Sequence, residues 1–340
     1  MTVANKIDTF STFQAQDVLQ IPHSQFVSGL RSPTDIYIRT SENRYLLICK
    51  QGAMIKLEEL HATSDGKVQF LYVRTNEFKN LVGFNLQIAG LAISKAEVST
   101  HHKIPFLSAS AESVFTEIQA MGLSQESCNH SKVVVSSMLT LLNSKPNMAA
   151  LVLSMKGISD EFVKHSMMVS VVSLMIADQM GWVIPKTLER LGMGAFFHDI
   201  GMREIAEEIR LKPRHSMTSD EVKTMEEHVT RGAEILQSVP QMPNEVVAIA
   251  LQHHENACGT GYPRRLKDTR MEPLAKIVSV ADAFCDLVLP SVPDVVGRTP
   301  TEALTYMELS LNQPFNRQAY AGLLKCIHGG TSTGRIKFIG

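Results

Sequence analysis

Cysteine is scarce and scattered: five in 340 residues (Cys49, Cys128, Cys258, Cys285, Cys326), odd in number and never spaced CxxC. That excludes a disulfide scaffold and a thiolate zinc site, and a reducing compartment is expected. An excess of one charge is missing too. The chain has 33 basic and 34 acidic residues, a net charge of −1. It therefore lacks the basic surplus of a chain that lives on nucleic-acid phosphates, and DNA is not an expected partner. No apolar run approaches the ~20 residues that cross a bilayer. The opening stretch MTVANKIDTFSTFQAQ lacks the charged-then-apolar order of a secretory leader. A cytoplasmic protein with no membrane span is the expectation. Internal repeats and low-complexity tracts are absent. What is present, 44% hydrophobic and 20% charged, is ordinary globular composition and enough chain for about two domains.

The pattern along the chain predicts an α+β protein: a small N-terminal α/β domain over residues 1–108, connecting helices over 109–150, and an all-α domain over 151–340. Asp35–Thr40, Tyr45–Lys50 and Lys67–Val73 read as strands, with Ser41-Glu-Asn-Arg as a turn between the first two and Ser64-Asp-Gly opening the third. Met54–His61 reads as a short helix. Beyond the third strand the pattern is weak. His101 and His102 read as solvated loop residues beside Ser99, Thr100 and Lys103. A sensing or regulatory role suits this region, which carries no catalytic constellation. From Val114 onward, apolar residues recur at helical spacing, and breaks fall at Gly181, Gly201, Pro240 and Gly259.

Five of the twelve histidines (His165, His198, His228, His253, His254) sit in or beside apolar runs within residues 160–260. Ser159-Asp160 caps a helix running to Met180, and Glu161, His165, Val169 and Val172 share its expected buried face. A second helix opens at Pro185, and its inner stripe of Leu188, Leu191 and Ala195 continues to His198, with Asp199 next. A third opens with the capping box Thr218-Ser-Asp-Glu221 and carries Val222, Met225, His228, Gly232 and Ile235 on one stripe. A fourth, Asn244 to about His254, ends in paired histidines. A fifth opens at Pro273 and places Asp282 among apolar neighbours. One inward histidine is an ordinary core residue, but an unpaired buried carboxylate costs several kcal/mol. Five imidazoles with Glu161, Asp199 and Asp282, all inward on five successive helices, point to bound cations. Nitrogen and oxygen donors without thiolate suit iron, manganese or zinc. Seven or eight ligands exceed one tetrahedral site, so two metals bridged by Asp199 are expected, and a third if Glu161 also coordinates.

The set Phe-Phe-His198-Asp199-Ile-Gly, His253-His254-Glu255 and Gly259-Thr-Gly261-Tyr262-Pro263 resembles the HD-GYP family. That family is a branch of the HD metal-dependent phosphohydrolases, many of which hydrolyse cyclic di-GMP. The resemblance covers about residues 155–310. It implies that His165, His198, Asp199 and Asp282 hold one ion, that Asp199, His228, His253 and His254 hold another, and that Glu161 is the extra carboxylate of three-metal members. It also implies two or three divalent transition-metal ions, iron or manganese, with Asp199 at the catalytic centre. Gly261, Tyr262 and Pro263 would shape the substrate pocket, Tyr262 by hydrogen bonding to or stacking on a guanine.

Three departures stand out. Met202 replaces the family's substrate-binding lysine, a contact worth ~1.5–3 kcal/mol. Asn256-Ala-Cys replaces the usual aromatic and aspartate. Leu289-Pro-Ser-Val-Pro-Asp-Val-Val replaces a basic segment, and no Lys or Arg follows until Arg298. Arg264, Arg265 and Arg270 lie just past the Gly-Tyr-Pro loop. Two functions therefore suit the sequence. One is a metal-dependent phosphodiesterase acting on a cyclic dinucleotide, cyclic di-GMP first. The other is a metal-bound module that binds nucleotide, or a protein partner through the Gly-Tyr-Pro loop, with little or no turnover.

Overall fold

A five-stranded antiparallel sheet opens the computed structural model, which describes residues 10–58, 69–158, 160–290, 295–309 and 314–329. The strands are β1 (Phe10–Thr12), β2 (Val18–Pro22), β3 (Ile36–Ser41), β4 (Arg44–Cys49) and β5 (Phe70–Arg74), in the order β1-β4-β3-β5-β2. The expected hairpin is present. Glu42 and Asn43 join β3 to β4, and Asn43 takes a φ of 57°, a conformation that asparagine tolerates. The short strands β1 and β2 were not anticipated. The Ser64-Asp-Gly turn, the first residues of the third strand and residues 59–61 of the short helix lie outside the described residues. Met54 itself forms a β-bridge with Arg31.

Among the described residues every helix or strand named after β5 is a helix, so the chain is α+β. Helices Phe78–Ser94 and Thr100–Met121 follow the sheet directly. The second corrects the loop expected at His101 and His102: both lie in its first turn, exposed as expected. It also runs through residue 108. Buried amides and hydroxyls fasten the sheet side to these helices. Asn85 donates to the Gln25 carbonyl (2.9 Å) and to Ser113 Oγ (2.7 Å), and Gln25 Nε2 donates to Thr116 Oγ1 (2.8 Å). Such groups are buried without penalty only when paired, as here. One apolar core then continues from Ile21 and Phe78 through Val169 and Phe196 to Leu323.

The helices that carry the candidate ligands form where their sequence signals place them. Asp160 caps Glu161–Gln179 by accepting from the Val163 amide, and Gly181 follows with φ 77°. Pro185 opens Pro185–Phe197 and Pro273 opens Pro273–Val288. The Thr218/Glu221 capping box is complete. The single helix expected after it is interrupted at Glu227, giving Ser219–Glu226 and His228–Gln237. Among the described residues no helix is long and apolar enough to cross a membrane.

The turn after Pro185–Phe197 lies hard against the start of His228–Gln237. A Cβ added at Gly201 would stand 2.1 Å from the His228 carbonyl oxygen and 2.5 Å from the Gly232 amide nitrogen. Both obstacles are backbone, so neither can swing aside. Gly201→Ala is expected to lower stability by ~1–3 kcal/mol as an overpacked core site does. Gly83→Ala, on a helical position with nothing within 4 Å of the added carbon, is expected to be neutral or to gain ~0.5–1 kcal/mol. Urea unfolding of the two variants checks the contrast.

Candidate metal centre

Helix ends place most of the candidate donors. His198 is the residue at which Pro185–Phe197 ends, and His253 ends Asn244–Gln252 in the same way. His228 follows the break at Glu227. The last carbonyls of a helix have no partner within it, and these imidazoles use them. Nδ1 of His198 donates to the Ala195 carbonyl (2.7 Å), Nδ1 of His228 to Met225 (2.6 Å) and Nδ1 of His253 to Ala250 (2.9 Å). A carbonyl only accepts, so each Nδ1 carries a proton and each ring turns its Nε2 inward, as a lone pair in the neutral form. All three side chains are buried.

Those lone pairs converge on Asp199. Its Oδ1 lies 3.3 Å from Nε2 of His228 and 3.3 Å from Nε2 of His253. Its Oδ2 lies 3.5 Å from Nε2 of His198 and 3.8 Å from Nε2 of His165. One carboxylate thus divides its oxygens between two pairs of imidazoles. Asp282 completes the ring: its Oδ1 is 3.0 Å from Nε2 of His165 and 3.5 Å from Nε2 of His198, and its Oδ2 is 3.7 Å from Nδ1 of His254.

Electrostatics follow from that crowding. Burial opposes the charge on Asp199, but positive charge on the imidazoles around it, His198 first, outweighs burial and holds the carboxyl well below its ordinary value. Asp282 is likewise held low, by His165 and His198 against its own burial. Burial pulls His165 towards neutrality, yet the Asp282 hydrogen bond and the carboxylates of Asp286, Asp282 and Asp199 push it up to about 10. His198 rises for the same reasons, chiefly Asp199 against burial. His253 and His254 are lowered, by burial first.

The donor chemistry fits a cation. Nε2 of His228 and Nε2 of His253 face each other at 3.3 Å, and Nε2 of His165 and Nε2 of His198 at 3.2 Å. In the first pair both Nδ1 protons are committed to carbonyls, so two lone pairs meet, which is repulsive unless a positive charge lies between them. Asp199 Oδ1 is buried without a hydrogen bond. Asp199, His228, His253 and His254 form one group able to hold a metal ion, His165, His198 and Asp199 a second, and His165, Asp282 and Asp286 a third.

Seven of the eight expected ligands are therefore together. Glu161 stands apart: its carboxylate takes a hydrogen bond from Lys164 Nζ (2.6 Å), and its side chain is half-exposed. The first turn of that helix points it outward although His165, one turn on, points in. Asp286 was missed. It follows Asp282 by four residues, the spacing that stacks side chains on one helix face.

The Gly-Tyr-Pro loop leans on the same centre. The Tyr262 ring lies 4.7 Å from that of His254 and its amide donates to the His254 carbonyl. Gly261 is required, because a Cβ there would stand 2.3 Å from that carbonyl oxygen. Buried Glu255 fixes the far side by accepting from the amides of Arg264 (2.7 Å) and Leu266 (2.8 Å). Asn256 Oδ1 accepts from the Cys258 and Thr260 amides. The cation next to Met202 in the chain, Arg203, is engaged elsewhere. The Arg203 guanidinium is drawn away between the rings of Phe115 (5.2 Å) and Phe162 (5.1 Å) and donates to the Phe115 carbonyl. Arg264, Arg265 and Arg270 are exposed, and Arg298 lies over Tyr306. Arg214, also passed over in the sequence, lies 5.7 Å from the Tyr262 ring centroid and pairs with Glu226.

Comparison with known proteins bears on this arrangement. The family model for the HD domain matches residues 147–318, half of the chain. A cyclic di-GMP phosphodiesterase of Pseudomonas aeruginosa is 32% identical over 171 residues, 50% of this chain and 40% of that protein. The cyclic di-GMP phosphodiesterase response regulator RpfG of Xanthomonas campestris is 33% identical over 155 residues, 45% of this chain and 40% of its own length. The chain thus spans about two-fifths of these relatives. Among solved structures, an HDG"Y"P protein from Bdellovibrio bacteriovorus has the same fold. Its TM-score is 0.70 at 23% identity, over 92% of this chain and 100% of that one. By the matched family model the chain belongs to the HD-domain family, and its His198-Asp199 and Gly261-Tyr262-Pro263 motifs are those by which it resembles the HD-GYP branch.

Proposed function

We propose that the protein is a metal-dependent phosphodiesterase that opens a cyclic dinucleotide, with cyclic di-GMP as the first substrate to test. The observation that carries this reading is Asp199, whose two oxygens face two separate pairs of imidazoles. His165, His198, Asp199 and Asp282 would hold one divalent ion, and Asp199, His228, His253 and His254 the other. Glu161 is engaged by Lys164, so the reading uses two ions rather than three. Iron and manganese suit these donors. Two such ions supply Lewis acidity towards a phosphodiester oxygen and a water acidic enough to attack phosphorus at neutral pH. The residues do the rest. Asp199 and Asp282 offset the cationic charge, and the backbone-bound imidazoles keep their lone pairs aimed inward. Tyr262 caps His254 and offers a flat ring to a base. The described sheet and the helices beside it are assigned a regulatory role on the same reading, residues 1–108 forming that domain.

A second reading, a module that binds a nucleotide or a protein partner through the Gly-Tyr-Pro loop without turnover, is favoured by one observation. Met202 offers no charge to a substrate phosphate, and Arg203 is held elsewhere by Phe115 and Phe162. Iron- or manganese-loaded protein incubated with cyclic di-GMP is expected to yield the linear dinucleotide or GMP, and Asp199→Ala is expected to abolish that product. Tight binding with no product, measured on the same preparation, supports the module instead. Met202→Lys is expected to lower KM by about tenfold to a hundredfold, the worth of one charge-assisted phosphate contact.

Metal loading is also expected to release protons. His165 is held protonated at pH 7 because its value lies at about 10, and a ligating nitrogen must give its proton up. Affinity for divalent ions therefore rises with pH through the neutral range. Titration calorimetry of metal-stripped protein in two buffers of different ionisation enthalpy is expected to report a net release of protons. An equal heat in both buffers would refute the assignment of His165 as a ligand.

A further inference from the structure

Three of the ligand imidazoles are fixed from behind by the carbonyl three residues earlier, because each sits where a helix ends and carbonyls are free. His165 has no such carbonyl. It lies in the second turn of Glu161–Gln179, where the carbonyls of the preceding turn are taken by the helix's own amides. Its Nδ1 is buried and makes no hydrogen bond. The acceptor facing it is Oδ1 of Asp286, 3.6 Å away.

We propose that Asp286 is the positioning carboxylate of His165. It would take the Nδ1 proton in a hydrogen bond and thereby turn the Nε2 lone pair onto the ion that His165 shares with Asp282. The proposal rests on the metal-centre reading above. Asp282 and Asp286 stand one turn apart on Pro273–Val288, so a single helix grips the imidazole at both nitrogens, Nε2 at 3.0 Å and Nδ1 at 3.6 Å. The Asp286 side chain is 59% exposed. It is therefore free to close the few tenths of an ångström that separate 3.6 Å from a hydrogen bond. A carboxylate behind a ligating imidazole fixes the ring's tautomer and orientation and raises its basicity. A backbone carbonyl gives His198, His228 and His253 the same service without the charge. Asp286 makes no contact of its own with the ions in this assignment.

The test compares wild type, Asp286→Ala, Asp286→Glu and Asp199→Ala for cobalt(II) binding, by competition with a coloured chelator. Asp286→Ala is expected to weaken one of two ions by about tenfold to a hundredfold, the usual effect of removing such a partner, and to leave the other unchanged. Asp286→Glu is expected to restore most of the loss. The melting temperature of the metal-stripped variant is expected to stay at the wild-type value, since the side chain is largely in solvent. In proton NMR of the cobalt protein, one exchangeable, paramagnetically shifted imidazole N–H line is expected to vanish in Asp286→Ala through faster exchange with water. Wild-type affinity in Asp286→Ala, with Asp199→Ala impaired, overturns the proposal and leaves the metal centre standing. Three ions in wild type, and two of unaltered affinity in Asp286→Ala, overturn it by making Asp286 a ligand. A wild type that binds no cobalt, iron or manganese overturns both readings together.

Discussion

The helical part of the molecule is organised around one constraint: the Asp199 carboxylate, largely buried, lies among imidazoles that cannot all donate to it. A charge removed from water costs several kcal/mol unless it is paired and hydrogen-bonded. Here two of the nearest nitrogens, those of His228 and His253, carry lone pairs rather than protons because their Nδ1 atoms are committed to carbonyls. Carboxylate oxygens and lone pairs repel one another as they stand. The arrangement becomes favourable when positive charge lies among them, whether protons on His165 and His198 or divalent cations. The close fit of Gly201 against the start of His228–Gln237 keeps Asp199 from retreating.

Helix termini are the means by which this fold aims its histidines. A side chain in a helix interior finds every nearby carbonyl occupied, whereas one at a terminus finds up to four free. His198 and His253 close helices, and His228 follows a break that frees the Met225 carbonyl. The interruption at Glu227 is therefore part of the site's geometry. It also explains why the apolar stripe from Val222 to Ile235 reads as one continuous helix: the break leaves the direction of the chain almost unchanged, with Glu227 still at φ −65° and ψ −19°.

Most of the site was legible in the sequence because burying a carboxylate or an imidazole at helical spacing is a conspicuous violation of amphipathic order. His165, His198, His228 and Asp282 each interrupt an apolar stripe, and the caps at Asp160, Pro185, Thr218 and Pro273 mark the frame in which the stripes are counted. Less was legible where packing overrides propensity. Phe78–Ser94 contains Gly83 and Gly90, and Thr100–Met121 contains Pro105, residues that weaken a helix in isolation. Strands β1 and β2 are three and five residues long, too short for alternation to show. Glu161 lies apart from the other candidate ligands because its carboxylate is bonded to Lys164, one turn ahead. Asp286 escaped notice because a half-exposed acid near a helix end is unremarkable until the nitrogen it faces is known.

Arg203 links the turn after Asp199 to the helices beside the sheet. It adjoins Met202 in the turn that follows Asp199. The guanidinium lies against Phe115 and Phe162 and donates to the Phe115 carbonyl, and burial pulls its value down to about 10. A guanidinium is rarely given up to an interior without such faces and an acceptor. Phe115 belongs to the helix that follows the sheet, and its ring also meets Phe196 at 4.5 Å, two residues before His198. The turn bearing His198 and Asp199 is thus held from behind by Thr100–Met121. The guanidinium helps to fix that turn, and the same contact makes the position of the sheet-side helices a determinant of where Asp199 sits.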